Sequence, residues 1–172
     1  SALYIPLVQD FLNHHKIDIR LESCSSYTLP VYDPKKTIVI CASHSGNTEE
    51  TISCFRDAMK NWAHIAVFTS GWELMQLAQE QHMPYYQIPT GLQPRLSTWY
   101  FIVALLDLLS QLGYSLVPIQ TALHDACKLI ITETDQHEAL LIAKELHWKT
   151  PIIYTTDVLK SMSLISKIKL NE

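Results

Sequence analysis

The sequence lacks the cysteine and histidine spacings that are typical of metal sites and redox motifs. Its four cysteines form no CxxC pair, and Cys41 lies within an apolar run, where a free cysteine behaves as a small hydrophobic residue. The pairs His14-His15 and His147-Trp148 have no further histidine at i, i+4, so they are interpreted as exposed surface. We therefore predict a protein of the reducing cytoplasm that binds no metal and uses no cofactor.

The sequence also lacks a concentration of positive charge and a long apolar segment. Its 13 Lys and Arg residues are spread along the chain among 17 Asp and Glu residues, with no basic run longer than Lys35-Lys36, and the formal net charge is −4. Binding to a phosphate backbone needs clustered basic side chains, so nucleic acid is not expected as a partner. The most apolar segment, residues 99–112, contains Asp107 and is too short to span a bilayer, so a membrane is not expected either.

Two patterns alternate along the central part of the chain. Short runs of β-branched and apolar residues alternate with segments whose apolar residues recur every three to four positions. Strands are predicted over residues 37–42, 64–68 and 85–88, and helices over about 47–59, 72–81 and 94–112. This alternation is typical of a parallel sheet covered by helices, and it predicts an α/β fold with a three-layer αβα sandwich.

Further elements are predicted on either side of this core. They are a helix over residues 3–12, an edge strand at 17–21 (IDIRL), a helical stretch over 119–147, a strand at 151–154 and a helix at 158–170. We predict a first domain over residues 1–118, a connecting helical segment over 119–149 and the beginning of a second, similar domain over 150–172. Both ends are expected to be incomplete, so that the chain is a piece of a longer protein.

The stretch TIVICASHSGNTEET, residues 37–51, points to a binding function. The amides at a helix start have no partner within the helix, and in open α/β sheets they lie at the edge where ligands bind. Ser43, Ser45 and Thr48 add three hydroxyl donors, and Gly46 permits a tight turn around an anion. These residues predict a phosphate-binding loop. The alternative is an ordinary turn with a helix cap, since serine, glycine and asparagine are common in turns.

The same loop lacks the features of a nucleotide site. No lysine follows the glycine, as it does in GxxxxGK[ST], and the sequence contains no GxGxxG. We therefore expect the phosphate of a small molecule, held by hydroxyl and amide groups without a metal ion.

SHSGNTEET after an apolar strand resembles the S-x-S-G-x-T loop of the sugar isomerase (SIS) domains, which bind phosphorylated sugars. Further motifs resemble, in the same order, the bifunctional phosphoglucose/phosphomannose isomerase branch: TSG at 69–71, IPTGLQPRLSTWYF from residue 88, TPIIY from residue 150 and the terminal KIKLNE. In that branch one chain carries two SIS domains, and the active site lies between them and across a homodimer interface. The resemblance covers essentially the whole chain and implies a homodimer that binds a sugar phosphate.

The resemblance implies the residues that contact the phosphate. Ser43, Ser45 and Thr48 correspond to the hydroxyl groups of the family's phosphate-binding loop. Ser1 corresponds to the last residue of a second loop at the same site.

The resemblance also implies two catalytic residues. Arg95, in QPR, corresponds to the cation that stabilises an enediolate, and Glu172 corresponds to the base that moves a proton between C2 and C1 of the open-chain sugar. A cation is disfavoured in a first helical turn, which favours a bound anion as the partner of Arg95.

The chain departs from the family at His44, where tyrosine is usual, and at Trp72, where a second glycine often follows TSG. His44 is interpreted as a packing residue, and the family's ring-opening histidine would follow residue 172.

The implied activity is the interconversion of glucose 6-phosphate, and of mannose 6-phosphate, with fructose 6-phosphate through a cis-enediol. One alternative is a non-catalytic SIS module that binds a phosphosugar as a signal, although QPR and KLNE are motifs that such a sensor does not need. Another alternative is that this chain alone binds weakly and catalyses nothing.

The apolar helix at residues 97–112 is interpreted as buried against another helix or a second subunit.

Overall fold

The computed structural model describes residues 4–114, 121, 124–125, 128 and 133–171, without the side chains of residues 95, 133, 134, 158, 169 and 171. The chain divides into two compact units, one up to Leu108 and one from Leu109 onwards. In chain order the elements are α1 (Tyr4–His14), β1 (Ile38–Ser43), α2 (Glu49–Lys60), β2 (His64–Thr69), α3 (Trp72–Glu80), β3 (Tyr85–Gln87), α4 (Thr98–Gln111), α5 (Glu133–Leu146) and α6 (Lys160–Asn171). Two 3₁₀ turns, Pro94–Leu96 and Asp157–Leu159, precede α4 and α6.

The three strands form one parallel sheet in the order β1-β2-β3. β1 and β2 pair from Ile38 opposite His64 to Ser43 opposite Thr69, so the two strands end side by side. Five successive residues of β2 are buried, which requires cover on both faces of the strand. The predicted α/β fold with a parallel sheet is confirmed, and each strand lies within one residue of its predicted bounds.

The core of the first unit lies between the sheet and the helices α2 and α3. Apolar residues on α2 recur at helical spacing, so that Ile52, Phe55 and Ala58 are buried. Burial of a side chain as large as Phe55 contributes about 2–3 kcal/mol to the free energy of unfolding. The main cluster comprises Val39, Cys41, Phe55, Ala58, Ile65, Val67, Leu74 and Ala78. This packing fixes the carboxyl ends of β1 and β2 relative to the starts of α2 and α3.

The helix α4 begins at Thr98, four residues later than predicted. Pro94–Leu96 forms a 3₁₀ turn, and the Ser97 hydroxyl donates to the Pro94 carbonyl at 2.7 Å. The ring of Phe101 stacks on Tyr4 of α1, with centroids 5.4 Å apart. Most apolar side chains of α4 are buried within the chain itself, namely Phe101, Ile102, Ala104, Leu105, Leu106 and Leu109. Neither α4 nor another helix in the described ranges is long and apolar enough to cross a membrane.

The prediction of an edge strand at residues 17–21 is wrong. The apolar residues of this segment are half-buried and the charged residues between them are exposed, but the segment has no regular secondary structure. The side chain of Gln9, on α1, takes the place of a neighbouring strand. Its side-chain Nε2 donates to the Ile19 carbonyl at 3.0 Å, and its Oε1 accepts from the backbone amide of Leu21 at 2.7 Å. One side chain thus satisfies backbone groups that a sheet would otherwise pair.

The prediction of a strand at residues 151–154 is also wrong. In the second unit these residues have no regular secondary structure, and Ile152 and Tyr154 are 74% and 87% exposed. A strand needs a neighbour that pairs with its backbone groups, and the described part of this unit contains helices and turns only. The predicted helix that follows is present as α6. The beginning of a second domain at residue 150 stays a prediction.

Candidate functional site

Three hydroxyl groups lie together where β1 ends. Ser43 is the last residue of β1, Ser45 lies in the following loop, and Thr48 directly precedes α2. Ser43 Oγ lies 2.7 Å from Thr48 Oγ1 and 3.3 Å from Ser45 Oγ, and the Ser45 and Thr48 oxygens are 3.5 Å apart. We call these three side chains the hydroxyl cluster. The cluster lies at the carboxyl edge of the sheet, where open α/β folds bind ligands.

Backbone amides orient two members of the hydroxyl cluster. The Gly46 amide donates to Ser43 Oγ at 3.1 Å, and the Asn47 amide donates to Ser45 Oγ at 3.3 Å. A hydroxyl group has one hydrogen to donate and two lone pairs that accept. Because both oxygens already accept from the backbone, their hydrogens are left for a neighbouring hydroxyl or an anion. Ser43 is buried, while Ser45 and Thr48 are exposed, so the cluster is open to solvent on the side of Ser45 and Thr48.

The start of α2 adds backbone donors to the same place. Thr48 occupies the N-cap position with an extended backbone, but its side chain makes no hydrogen bond to the first helical turn. Its hydroxyl contacts Ser43 instead, so Thr48 itself does not cap the first-turn amides. Uncapped amides and the positive end of the helix dipole favour a negative charge. The hydroxyl cluster and the start of α2 together present the donors that a phosphate group needs.

Gly46 packs this loop against the end of the neighbouring strand. Its φ of +72° lies in the left-handed region that favours glycine. A β-carbon at this position would overlap the carbonyl oxygen of Gly71 and lie 3.0 Å from Thr69 Oγ1. The Leu74 amide of α3 also donates to the Gly46 carbonyl at 3.0 Å. Glycine is therefore required here both for the turn and for the close approach of the two loops.

Two side chains connect the loops in a way that sequence reasoning missed. Asn47 Oδ1 accepts from the amide of Glu73, in the first turn of α3, at 3.3 Å. The hydroxyl and the amide of Ser70 both donate to the His44 carbonyl. An asparagine near a helix start signals capping, but the sequence does not show that the capped helix begins 25 residues further on. The loop that holds the hydroxyl cluster is thus supported by the loop after β2.

Two acidic side chains near the first loop have partners in the described residues. Glu49, in the first turn of α2, accepts from the Tyr27 hydroxyl at 3.2 Å, and this bond is the main reason why the pKa of Tyr27 is raised. Glu73, in the first turn of α3, forms an ion pair with Arg56 at 2.9 Å. The guanidinium of Arg56 partly offsets the charge of Glu73, whereas the neutral hydroxyl of Tyr27 leaves the charge of Glu49 in place.

His44 lies between the two serines of the cluster. Its carbonyl accepts from Ser70, and its ring Nε2 is buried without a hydrogen-bond partner among the described residues. The packing role assigned to His44 from the sequence stays a prediction.

The other predicted site residues are not brought together by the described structure. The backbone of Arg95 lies in the 3₁₀ turn Pro94–Leu96, while its side chain lies outside the described residues, as do Ser1 and Glu172. The described residues contain no group of three His, Cys, Asp or Glu side chains that could hold a metal ion. The candidate site therefore rests on the hydroxyl cluster and the start of α2.

The described residues form an α/β protein whose first strand ends in a loop rich in hydroxyl and amide groups. The chain is 36% identical over 146 residues, 77% of its length, to a bifunctional phosphoglucose/phosphomannose isomerase of Caldicellulosiruptor bescii, of which it covers 43%. It is 28% identical over all 172 residues to a protein of the same name from Aquifex aeolicus, of which it covers 52%. It is also 29% identical over 128 residues, 72% of its length, to a D-glucosamine-6-phosphate 4-epimerase of Sulfolobus acidocaldarius, of which it covers 40%.

The chain is therefore a relative of the bifunctional phosphoglucose/phosphomannose isomerases, and the resemblance predicted from its motifs is confirmed. It spans about half the length of the curated relatives it matches. No family model and no solved structure matches the chain.

Proposed function

We propose that this chain contributes a phosphosugar-binding domain of the SIS type to an aldose–ketose isomerase. The substrates would be glucose 6-phosphate and mannose 6-phosphate, each interconverted with fructose 6-phosphate. The observation that carries the proposal is the convergence of Ser43, Ser45 and Thr48, with oxygens 2.7–3.5 Å apart, at the start of α2. The names of the relatives support it, because each of the three names a phosphorylated hexose.

The hydroxyl cluster would act by positioning the substrate. Hydrogen bonds to a charged group each contribute about 1.5–3 kcal/mol, so three hydroxyls and the helix-start amides can hold a phosphate without a basic side chain. The phosphate lies at the end of the sugar opposite to the reacting carbons. Its binding energy therefore serves to orient C1 and C2 toward the catalytic groups rather than to act on them directly.

The proton transfer would be carried out by the residues that the sequence motifs assign. Glu172 would remove the proton from C2 of the open-chain aldose and deliver it to C1, with a cis-enediol between the two steps. Arg95 would stabilise the negative charge that develops on the enediolate oxygen. Both roles rest on the motifs QPR and KLNE.

Binding is tested by titrating the isotope-labelled chain with inorganic phosphate and with fructose 6-phosphate while amide chemical shifts are recorded. We expect saturable shifts at residues 43–51 with both ligands, and weaker binding after Ser43→Ala. Ser53→Ala is the matched control, because the Ser53 hydroxyl donates to the Tyr27 carbonyl outside the cluster. Absence of shifts at residues 43–51 would exclude the cluster as the phosphate site.

Catalysis is tested in the full gene product by measuring conversion of fructose 6-phosphate to glucose 6-phosphate. Glu172→Gln should abolish the conversion while sugar-phosphate binding is retained, and Arg95→Lys should lower kcat because a lysine cannot reproduce the guanidinium geometry. Unchanged turnover of Glu172→Gln would exclude this residue as the base. A protein that binds fructose 6-phosphate but never converts it would be a phosphosugar sensor instead.

We also propose a homodimer in the cytoplasm. The resemblance to the isomerase branch supports the dimer, and the free thiols Cys24, Cys41 and Cys54 suit a reducing compartment. Light scattering during size-exclusion chromatography of the full gene product measures the mass, and the mass of a single chain would contradict the dimer.

A further inference from the structure

Trp72, at the start of α3, combines two unfavourable properties. Its φ of +60° lies in the left-handed region, which is costly for a bulky residue, and its side chain is 73% exposed. A residue kept in such a conformation persists only where the surrounding structure enforces it, and such residues concentrate at functional sites. Trp62 and Trp148 share a left-handed φ and an exposed side chain, so it is the position of Trp72 in the fold that distinguishes it.

The contacts on either side explain why the backbone is held in this conformation. The Gly71 carbonyl packs against Gly46, the Glu73 amide donates to Asn47 Oδ1, and the Leu74 amide donates to the Gly46 carbonyl. Every one of these contacts is made by the backbone of the segment 71–74. A glycine at position 72 would make the same contacts without strain, so the contacts do not explain the presence of a tryptophan.

The position of Trp72 follows from the same contacts. Trp72 follows Gly71, and Gly71 contacts the turn that carries the hydroxyl cluster. Trp72 and the hydroxyl cluster therefore both lie at the carboxyl edge of the sheet. The hydroxyl cluster supplies polar donors that suit a phosphate but offers nothing to the carbon skeleton of a sugar. An exposed aromatic ring can provide an apolar contact for that carbon skeleton, because C–H groups pack favourably against its π face and apolar area is removed from water.

We propose that Trp72 is a positioning residue against which the sugar part of the ligand packs while the hydroxyl cluster binds the phosphate. This inference rests on the proposed function and assigns to Trp72 the carbon skeleton of a phosphorylated sugar. Inorganic phosphate, which has no carbon skeleton, gains nothing from the indole. The two ligands therefore separate the contribution of Trp72 from that of the phosphate-binding loop.

The chain offers a matched control in Trp62. Trp62 also has a left-handed φ, +56°, and is 91% exposed, but it follows α2 at the opposite edge of the sheet, where β2 begins. The substitutions Trp72→Gly and Trp62→Gly remove the same side chain from the same backbone conformation. Trp72→Phe keeps an aromatic ring at position 72.

The experiment measures the affinity of the chain and its three variants for fructose 6-phosphate and for inorganic phosphate by calorimetric titration. Trp72→Gly should bind fructose 6-phosphate about tenfold more weakly, as expected for loss of one aromatic contact, and inorganic phosphate as tightly as wild type. Trp72→Phe should recover most of this loss, and Trp62→Gly should bind both ligands as wild type does. Thermal unfolding should show no loss of stability in Trp72→Gly, because the strain is removed.

Equal affinity of wild type and Trp72→Gly for fructose 6-phosphate would overturn the inference. So would an equal loss of affinity for both ligands, because that result would locate the effect in the loop rather than in contact with the sugar. If wild type binds fructose 6-phosphate no more tightly than inorganic phosphate, the inference about Trp72 fails while the proposed phosphate site is retained. If wild type binds neither ligand, the proposed function fails and the inference fails with it.

Discussion

Gly46 and Gly71 approach so closely that a β-carbon on Gly46 would overlap the Gly71 carbonyl oxygen. The two residues follow neighbouring parallel strands, which end side by side at Ser43 and Thr69. The contact joins the loop that carries the hydroxyl cluster to the loop that leads into α3. The geometry of the candidate phosphate site therefore depends on a long-range contact between two loops.

Gly46→Ala should lower the free energy of unfolding by about 3 kcal/mol, because it adds both a strained φ and an overlap with backbone that cannot move aside. Gly91→Ala is the matched control, since Gly91 has a φ of +82° but an added β-carbon there would have no atom of the described residues within 4 Å. It should cost only about 1 kcal/mol. Urea unfolding measures both values, and equal losses in the two variants would show that the contact with Gly71 is unimportant.

Thr48→Val should weaken phosphate binding about tenfold, because it removes one donor to a charged ligand and keeps the shape of the side chain. The same variant should change the free energy of unfolding by less than about 0.5 kcal/mol, because the Thr48 hydroxyl does not cap α2. Thr48→Ser keeps the hydroxyl and should bind as wild type does. A stability loss of about 1 kcal/mol in Thr48→Val with unchanged phosphate affinity would indicate an ordinary helix cap.

Asn47→Asp should separate stability from anion binding. The new carboxylate keeps the acceptor for the Glu73 amide and adds a favourable charge at the start of α3, so stability should be retained or rise by about 0.5 kcal/mol. The same charge next to the hydroxyl cluster should weaken phosphate binding several-fold at low salt and less at high salt.

Asn47→Ala is the control for this prediction, because it removes the acceptor without adding a charge. It should lower stability by about 1 kcal/mol and change phosphate affinity less than Asn47→Asp does. Equal phosphate affinity of Asn47→Asp and wild type at low salt would contradict the location of the anion beside this loop.

Stability should fall at alkaline pH in a manner that depends on Cys41. Burial, with a smaller effect of the neighbouring Cys54, raises the pKa of the Cys41 thiol from 9.0 to about 12. Between these values the unfolded chain releases the thiol proton while the folded chain retains it. The free energy of unfolding should therefore decrease by up to about 1.4 kcal/mol per pH unit above pH 9 because of this group.

Cys41→Ala should be less stable at pH 8, because it leaves a cavity, but its stability should fall less steeply between pH 9 and 10.5. Val39→Ala, a buried residue of the same strand that does not titrate, should lose stability and keep the wild-type slope. Denaturant unfolding at several pH values measures the slopes. Parallel curves for wild type and Cys41→Ala would contradict the prediction.

Much of the first unit could be predicted because its signals are local. The β-branched run of β1 and the helical spacing of Ile52 and Phe55 on α2 depend on neighbours a few residues away. The serine and threonine residues between these elements are also a local signal, and they predict the hydroxyl cluster. The failures were segments whose pattern needs a distant partner. IDIRL has the alternation of a strand, but Gln9 rather than a neighbouring strand takes its backbone groups.

The sequence by itself determined the parallel α/β architecture of the first unit, the order of its elements and the hydroxyl groups at the end of β1. Only the tertiary structure decided that Asn47 caps α3, that Gly46 packs on Gly71 and that Trp72 is left exposed in a strained conformation. The physical reason is range. Hydrophobic periodicity and turn chemistry act within a few residues. The contacts of Asn47 with Glu73 and of Gly46 with Gly71 join groups about 25 residues apart, which meet only when β1 and β2 pair.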